Sequence, residues 1–217
     1  MALDLPLPER VFGHPWFISG TDKMSKSRGN VIYADELSQR FGVDGVRYFA
    51  LAEMPYVNDG SITYENVINR YNTVLANNLG NLVSRTVAMT KKYFDGVIPA
   101  PAGDEGTDAE LKETALAAIK AFDEKMDTFH IAEAIDEVVQ MLRRTNKYID
   151  ETAPWALAKD EAQKTRLGTV MYNLLECIRM AAVLLEPIMP LAIGLMIALM
   201  VVAIILPMFN IYTVILG

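Results

Sequence analysis

Cysteine and histidine are scarce in this 217-residue sequence, and their scarcity excludes several kinds of site. The single cysteine, Cys177, cannot form an intramolecular disulfide, and cysteines cannot supply a zinc site. A net charge of −7 argues against a protein that holds nucleic acid by general attraction to phosphate, so any RNA binding must depend on particular side chains. The first residues lack the basic segment and apolar run of a signal peptide, which predicts a cytoplasmic main body.

Charge is missing altogether from the C-terminal end. The last charged residue is Glu186, and everything from Pro187 to Gly217 is uncharged and mostly apolar. Such a run exceeds the roughly 18 apolar residues that indicate a transmembrane helix. Because the charges lie on its N-terminal side, residues 191–217 are predicted to anchor a cytoplasmic body to the inner membrane. A buried core helix is the alternative interpretation.

The rest of the sequence divides into three segments. Residues 1–33 mix short apolar runs with Gly and Pro, which is typical of the end of an α/β domain. Residues 34–66 are predicted to hold short helices separated by a turn at Gly42. From 67 to 190 the apolar spacing predicts helices over about 67–94, 108–126, 131–148 and 160–185, with Asp108 as an N-cap. The predicted fold is mainly α, with these helices packed around one core.

The most specific motif in the chain is Lys-Met-Ser-Lys-Ser, followed by Arg-Gly-Asn. Two lysines three positions apart, with serines beside them, make a compact cationic loop. Such a loop suits a triphosphate, whose β and γ oxygens gain charge when the α-phosphorus is attacked. By residue type alone a solvated basic turn would be the commoner interpretation, whereas the ordered motif favours nucleotide chemistry. The candidate triphosphate-binding residues are Lys23, Met24, Ser25, Lys26 and Ser27.

A polar stripe lies on the first long predicted helix. Asn77, Asn81 and Arg85 are four positions apart and drift by only about 40° at each step of an α-helix. Their amide and guanidinium groups suit hydrogen bonds to the edges of unstacked RNA bases, and Trp155, just after Pro154, offers a face for stacking. The alternatives are a solvated helix face and a packing tryptophan. The opposite side of the helix is predicted to face the core, through Leu75, Leu79, Leu82, Thr86 and Met89.

The Lys-Met-Ser-Lys-Ser motif resembles the signature loop of class I aminoacyl-tRNA synthetases. Two later segments, Leu79–Thr86 and Tyr148–Trp155, closely resemble the anticodon-binding domain of the methionyl-tRNA synthetase family. Residues 44–49 resemble the segment that follows the loop in these enzymes. The loop alone leaves the leucyl, isoleucyl, valyl and cysteinyl enzymes open, whereas the two later segments favour methionine. Together the resemblances cover residues 1–190.

The resemblance implies a methionine–tRNA ligase, which joins methionine to its tRNA through methionyl adenylate in an ATP-dependent reaction. It assigns residues 1–33 to the end of an α/β, Rossmann-type catalytic domain that carries the KMSKS loop (residues 23–27). It assigns residues 34–66 to a stem-contact region and residues 67–190 to an antiparallel helical anticodon-binding bundle, with a hydrophobic C-terminal helix after it.

The resemblance also implies roles for the candidate residues. Lys23 and Lys26 are catalytic and act at the triphosphate, where ATP binds with Mg in the intact enzyme. The CAU anticodon of tRNA(Met) is read by Asn81, Arg85 and Trp155, with support from Asn77. No metal site built from protein ligands is expected. Two interpretations stand for three further residues, a solvated basic face or contact with the backbone of the anticodon stem: Arg143, Arg144 and Lys147.

The sequence departs from the family pattern in two places. A class I enzyme also needs a His-Ile-Gly-His motif, and the two histidines here lie apart at positions 14 and 130, so we expect no methionine activation by this chain alone. After Pro190 the sequence weakly resembles the last membrane segment of type II secretion and type IV pilus inner-membrane proteins. Two alternatives therefore stand beside the ligase: a non-catalytic tRNA-binding module, and a membrane-anchored chimeric fragment without RNA function.

Overall fold

A computed structural model describes residues 11–55, 58–194 and 196 of the chain. Its N-terminal part contains a small sheet of three strands, β1 (Phe17–Ser19), β2 (Asp22–Lys23) and β3 (Gly60–Ile62), in the order β2-β1-β3. Strand β1 runs antiparallel to β2 and parallel to β3. Helix α1 (Ala34–Ala52) lies between β2 and β3 in the chain. Beside the sheet, a small core is formed by Leu37, Phe49, Ile62 and Val67.

Helix α1 is interrupted at Gly42, where the backbone leaves the helical region with a φ of 73° and a ψ of 158°. Glycine adopts this positive φ without the steric cost that a Cβ atom would bring. The predicted turn at Gly42 is therefore confirmed. The second half of α1 points Tyr48 and Phe49 into the protein, with exposed fractions of 1% and 3%.

The next helical run begins as α2 (Tyr64–Arg70), continues as a π-helical segment (Tyr71–Gly80) and ends as α3 (Asn81–Phe94). The prediction of one unbroken α-helix over 67–94 is wrong in its middle part. Backbone bonds in a π-helix span five residues, and the side chains of Val74 and Leu79, five positions apart, are both buried. Gly80 suits the wide turn because a Cβ atom there would lie 3.1 Å from the carbonyl oxygen of Leu75.

Helix α3 packs against α5 (Ile131–Thr152) and α7 (Lys164–Leu185), which also pack against each other and against α4 (Asp108–Asp127). The short helix α6 (Pro154–Leu157) connects α5 to α7. Their apolar faces form one core, so the mainly α fold is confirmed. The N-cap of α4 is Thr107, whereas Asp108 is the first helical residue and is completely buried. The prediction of Asp108 as the N-cap is therefore wrong. The most deeply buried side chains of the core include Leu82, Leu111, Ile135, Leu142, Leu174 and Ile178.

The described part of the C-terminal tail packs against the bundle. Residues 190–194 are helical, and Ile193 is only 1% exposed within the core. The Asp44 carboxylate accepts a hydrogen bond from the N–H of Ala192, near the start of this helix. Arg47 donates from Nε to the carbonyl of Ile188 and from Nη2 to the carbonyl of Pro187, each at 2.9 Å. Helix α1 therefore holds the chain where it enters the tail.

The predicted membrane helix over 191–217 falls largely outside the described residues, which end at 194 and 196. Among the described residues, one helix, Glu161–Leu185, has the length and composition to cross a membrane. Its most apolar stretch is 61% buried within the protein, because this segment contains α7, a central helix of the bundle core.

Candidate functional site: a cationic loop and a polar helix stripe

The KMSKS loop follows strand β2, which ends at Lys23. The three residues after Ser25 form a 3-10 turn (Lys26–Arg28), and Gly29 takes the left-handed conformation with a φ of 68°. Asn30 closes the loop from behind: its Oδ1 accepts from the Ser25 N–H at 2.8 Å, and its Nδ2 donates to the Lys23 carbonyl at 3.3 Å. The Gly-Asn pair after the motif thus has a structural role, which the sequence did not reveal.

In the KMSKS loop the methionine side chain is packed against the protein, whereas the two lysine side chains are exposed. Met24 packs against the small core beside the sheet, which fixes the loop to the protein. Lys23 and Lys26 are exposed, and the hydroxyls of Ser25 and Ser27 lie 2.8 Å apart. Ammonium groups carry three donors each, so the loop offers two exposed cations and a pair of hydroxyls to an anion in solvent.

The predicted stripe on the long helical run lies on its accessible side. Asn77 and Asn81 are exposed, whereas Leu82 and Thr86 are fully buried, as predicted for the opposite side. Asn77 lies in the π-helical segment and Asn81 begins α3, so the uniform 40° drift expected for an α-helix does not describe the step between them.

Arg85 is the residue of the stripe that contacts the end of helix α5. Its Nη2 lies 3.4 Å from Oδ1 of Asp150, and the two side chains are 35% and 69% exposed. Helix α5 ends at Thr152, and Ala153 takes the left-handed conformation with a φ of 43° before Pro154 begins α6. The contact therefore places Arg85 beside the corner at which α5 turns into α6.

Trp155 lies just after this corner, in the first turn of α6, and its side chain is 45% exposed. Pro154 beneath it is buried. A large aromatic ring that stays half accessible on a rigid corner can stack with a base, and this geometry is compatible with the predicted role.

A neighbouring asparagine that sequence analysis did not single out has a structural role. Asn78 is 9% exposed, donates to the Val139 carbonyl at 3.2 Å and accepts from Nδ2 of Asn146 at 2.8 Å. These bonds join the π-helical segment to α5 directly behind the stripe. Of the two adjacent asparagines, Asn77 is therefore exposed to a ligand, whereas Asn78 is buried and engaged in hydrogen bonds within the protein.

A buried polar network supports the end of α5. The Tyr148 hydroxyl donates to Oδ1 of Asp108 at 2.6 Å and accepts from Nδ2 of Asn173 at 3.3 Å. Arg166 donates to both carboxylate oxygens of Asp108, from Nη1 at 2.5 Å and from Nη2 at 2.9 Å. Burial by itself would raise the pKa of the Asp108 carboxyl, but the hydrogen bonds from Arg166 and Tyr148 hold it below its ordinary value. The network ties α4, α5 and α7 together two residues before Asp150.

The basic face of α5 is only partly available to RNA. Arg144 is 10% exposed and pairs with Glu110 and Glu151, each at 3.0 Å, so its use on a nucleic-acid backbone is not supported by the structure. Lys147 lies 3.3 Å from Glu151 but stays 69% exposed, and Arg143 is exposed. Within residues 11–55, 58–194 and 196, no group of three or more His, Cys, Asp or Glu side chains is placed to hold a metal ion.

Comparison with known proteins finds two family models along the chain. The model described as "tRNA synthetases class I (M)" matches residues 1–87, and the model described as "Anticodon binding domain of methionyl tRNA ligase" matches residues 98–205. The first match contains the KMSKS loop and the stripe, and the second contains Trp155. The second match also continues past Pro190 into the apolar tail, and nothing in the comparisons supports membrane anchoring.

Individual relatives agree with the family models. The chain is 52% identical over 190 residues to a methionine–tRNA ligase of Caldanaerobacter subterraneus subsp. tengcongensis and 51% identical over 190 residues to that of Clostridium acetobutylicum. These alignments cover 88% of this chain and 30% of each relative. The structure of Mycobacterium tuberculosis methionyl-tRNA synthetase in complex with methionyl-adenylate is similar, with a TM-score of 0.84 and 38% identity, over 89% of this chain and 38% of that one. The chain thus spans about a third of the length of these relatives.

Proposed function

The chain belongs to the methionyl-tRNA synthetase family, as its motifs predicted, and on that premise we propose that it supplies the KMSKS loop and the anticodon-reading bundle of a cytoplasmic methionine–tRNA ligase. In this proposal the complete reaction joins methionine to tRNA(Met) through methionyl adenylate, at the expense of ATP that binds with Mg. The relatives named methionine–tRNA ligase, and the similar structure in complex with methionyl-adenylate, support this assignment.

Lys23 and Lys26 are proposed to act at the triphosphate. Attack of the methionine carboxylate on the α-phosphorus leaves pyrophosphate, on which negative charge accumulates as the bond breaks. Ammonium groups stabilise that charge more than they stabilise the ground state, which is what lowers a barrier. Met24 fixes the loop to the small core, and the hydroxyls of Ser25 and Ser27 can donate to phosphate oxygens.

Asn77, Asn81, Arg85 and Trp155 are proposed to read the CAU anticodon. The observation that carries this part is the contact between Arg85 and Asp150, because it brings the stripe on α3 to the corner that presents Trp155. Amide and guanidinium donors beside an accessible indole ring match what single-stranded RNA recognition needs, hydrogen bonds to base edges and a surface for stacking. The buried network of Tyr148, Asp108 and Arg166 ties the end of α5, just before the corner, to α4 and α7.

The test is fluorescence anisotropy of the full chain against an anticodon stem-loop carrying CAU, beside stem-loops with altered anticodon bases. We expect a clear preference for CAU. Stacking is worth roughly 1–3 kcal/mol per base, so Trp155→Ala should weaken binding by about 5- to 150-fold, whereas Trp155→Phe should keep much of the affinity. The matched control is Trp16→Ala, since Trp16 is also exposed but belongs to the KMSKS part of the chain. Equal binding of all stem-loops would contradict anticodon reading.

Catalysis is tested separately. The 217 residues contain no His-Ile-Gly-His motif, so we expect methionine-dependent pyrophosphate exchange by this chain alone to stay at the level of a Lys26→Ala control. Exchange clearly above that control would show that these residues suffice for adenylate formation. Anticodon preference without exchange would identify a tRNA-binding module, and the absence of both would leave only the fragment without RNA function.

A further inference from the structure

We propose that Trp16 is a positioning residue for Lys23: its indole ring holds the Lys23 ammonium when no polyphosphate is bound and releases it when polyphosphate enters the KMSKS loop. This inference rests on the proposed function of the loop and adds to it a residue outside the five-residue motif. It starts from one distance: Nζ of Lys23 lies 4.3 Å from the centroid of the Trp16 ring. That separation is well within the range of about 6 Å for a cation–π contact.

The strand register explains why these two side chains meet. In the antiparallel pair of β1 and β2, Lys23 is opposite Ile18. Trp16 comes two residues before Ile18, so its side chain falls on the same face of the ribbon as Ile18 and diagonally across from Lys23. Diagonal neighbours are about 7–8 Å apart at the backbone and come within reach when one side chain is aromatic and the other is long. The sheet therefore aims the first lysine of the motif at the ring.

The backbone of Trp16 is held by a distant part of the chain. The backbone N–H of Trp16 donates to Oδ1 of Asp59 at 3.0 Å, and the Trp16 carbonyl accepts from the Gly60 N–H at 2.9 Å. Both partners lie at the start of β3, which then pairs with β1. The backbone that carries the indole is thus held, while the Lys23 side chain, with four methylene groups, can swing. Among the described residues, the cation over the Trp16 ring is Lys23 and not Lys26, so Lys26 serves as an internal comparison.

The contact is strong enough to bias Lys23 and weak enough to be broken. Trp16 is 63% exposed, and a cation–π contact at an exposed site changes an equilibrium by a factor of about two to five. A polyphosphate places several negative charges beside the same ammonium and forms charge-assisted hydrogen bonds, which are stronger. Polyphosphate should therefore displace the ring from the Lys23 ammonium, and its affinity should be slightly lower than it would be without the ring. Removing the ring should tighten polyphosphate binding by about two- to fivefold.

The direct test uses tryptophan fluorescence with inorganic tripolyphosphate as the probe. The chain has two tryptophans, so Trp155→Phe leaves Trp16 as the single indole. In this background we expect Lys23→Met to change the Trp16 emission without any ligand, and the matched Lys26→Met to leave it unchanged. Tripolyphosphate should move the emission of the Lys23 protein towards that of the Lys23→Met variant. Emission that responds equally to both lysine substitutions, or does not respond to tripolyphosphate, overturns the proposal.

Calorimetric titration with tripolyphosphate supplies the second measurement. Affinity should increase in the order Trp16, Trp16→Phe and Trp16→Leu, because the face offered to the cation weakens in that order. A residue with only a structural role would give the opposite result, since loosening the strand would weaken binding. If tripolyphosphate binds and Lys26→Met abolishes binding while the Trp16 series shows no trend, the loop assignment stands and the Trp16 proposal fails. If no variant binds tripolyphosphate, the proposed function of the loop fails as well.

Discussion

Replacing Asp108 by Asn should destabilise the bundle by about 3 kcal/mol, because it removes the fully buried carboxylate that pairs with the part-buried Arg166 guanidinium and leaves only the exposed Glu105, at 3.6 Å, as a charge partner. Breaking a buried ion pair costs about 3–5 kcal/mol. The Asp108 side chain is 0% exposed, but the Arg166 side chain is 13% exposed and can recover part of its hydration, which favours the lower end of that range. The Tyr148 hydroxyl keeps an acceptor in the amide oxygen, so its bond contributes little to the loss.

Urea unfolding followed by circular dichroism measures this loss. The midpoint should fall while the slope stays constant, since the surface exposed on unfolding does not change. In thermal unfolding the same loss should lower the Tm by about 6–12 °C for a domain of this size. The matched control is Asp104→Asn, which removes the partner of Lys112 on the surface, where the two side chains are 44% and 45% exposed. Such an exposed pair is worth about 0–1 kcal/mol.

The dependence on pH separates a charge effect from a packing effect. The pKa of Asp108 in the folded protein lies below its ordinary value of 3.8 because of the bonds from Arg166 and Tyr148, although burial opposes them. The unfolded chain therefore takes up the proton first, and the stability due to the carboxylate is present above the unfolded pKa and is lost as the pH falls through the folded pKa. The difference in unfolding free energy between the native protein and Asp108→Asn should stay constant from pH 7 to about 4 and disappear only below that. A loss no larger than that of Asp104→Asn, or a difference that disappears by pH 5, would refute this reasoning.

Asp150→Asn should free Arg85 from its exposed ion pair and remove a negative charge beside the RNA, so the Kd for a CAU stem-loop in anisotropy should fall by up to about fivefold. A higher Kd would mean that Asp150 instead holds Arg85 in its binding position. Arg47→Met keeps an aliphatic side chain but removes two donors to backbone carbonyls, and urea titration should show a loss of about 1–3 kcal/mol, with Arg40→Met on the same helix as control. Burial raises the pKa of Tyr48 to about 12, so the folded state keeps its proton longer than the unfolded chain and stability should fall as the pH rises from about 10 towards 12. Tyr48→Phe should weaken that alkaline dependence and cost little at pH 7, because the hydroxyl makes no full hydrogen bond within the part of the chain that the structure describes; a large loss at pH 7 would contradict this account.

The helices and the core side of α3 were accessible to sequence analysis because they follow from local periodicity. Leu82 and Thr86 recur with the α-helical period and are both fully buried. The π-helical segment could not be predicted from the sequence. Apolar residues five positions apart also fit an α-helix whose apolar stripe is wider, so their spacing does not distinguish the two helix types. Asp108 shows the limit of a local rule: its position predicted an N-cap, whereas its carboxylate turns inward to Arg166, 58 positions later in the chain.

The candidate site shows the same division. The five residues of the KMSKS loop could be recognised as a motif, but the two residues that govern its shape and its first lysine could not. Asn30 closes the loop through two bonds to its backbone, and Trp16 reaches Lys23 through a strand register that only the folded sheet defines. The four-residue spacing placed Asn77 rather than its neighbour Asn78 on the polar stripe, and Asn77 is exposed whereas Asn78 is buried. Local spacing therefore predicted which asparagine is accessible, whereas the contacts of Asn30 and Trp16 could not be predicted because they depend on how the loop and the sheet fold.

The charge pattern and the packing place the end of the bundle at different positions. Charge disappears after Glu186, which led to the predicted division at residue 190. Packing does not stop there, because Ile193 is buried in the same core as Leu185 and Met189. The carboxylate of Asp44 also accepts from the N–H of Ala192, which satisfies a helix terminus that would otherwise lack a partner. The described residues of this apolar segment donate to a carboxylate of α1 and pack into the core, so they are part of the folded body.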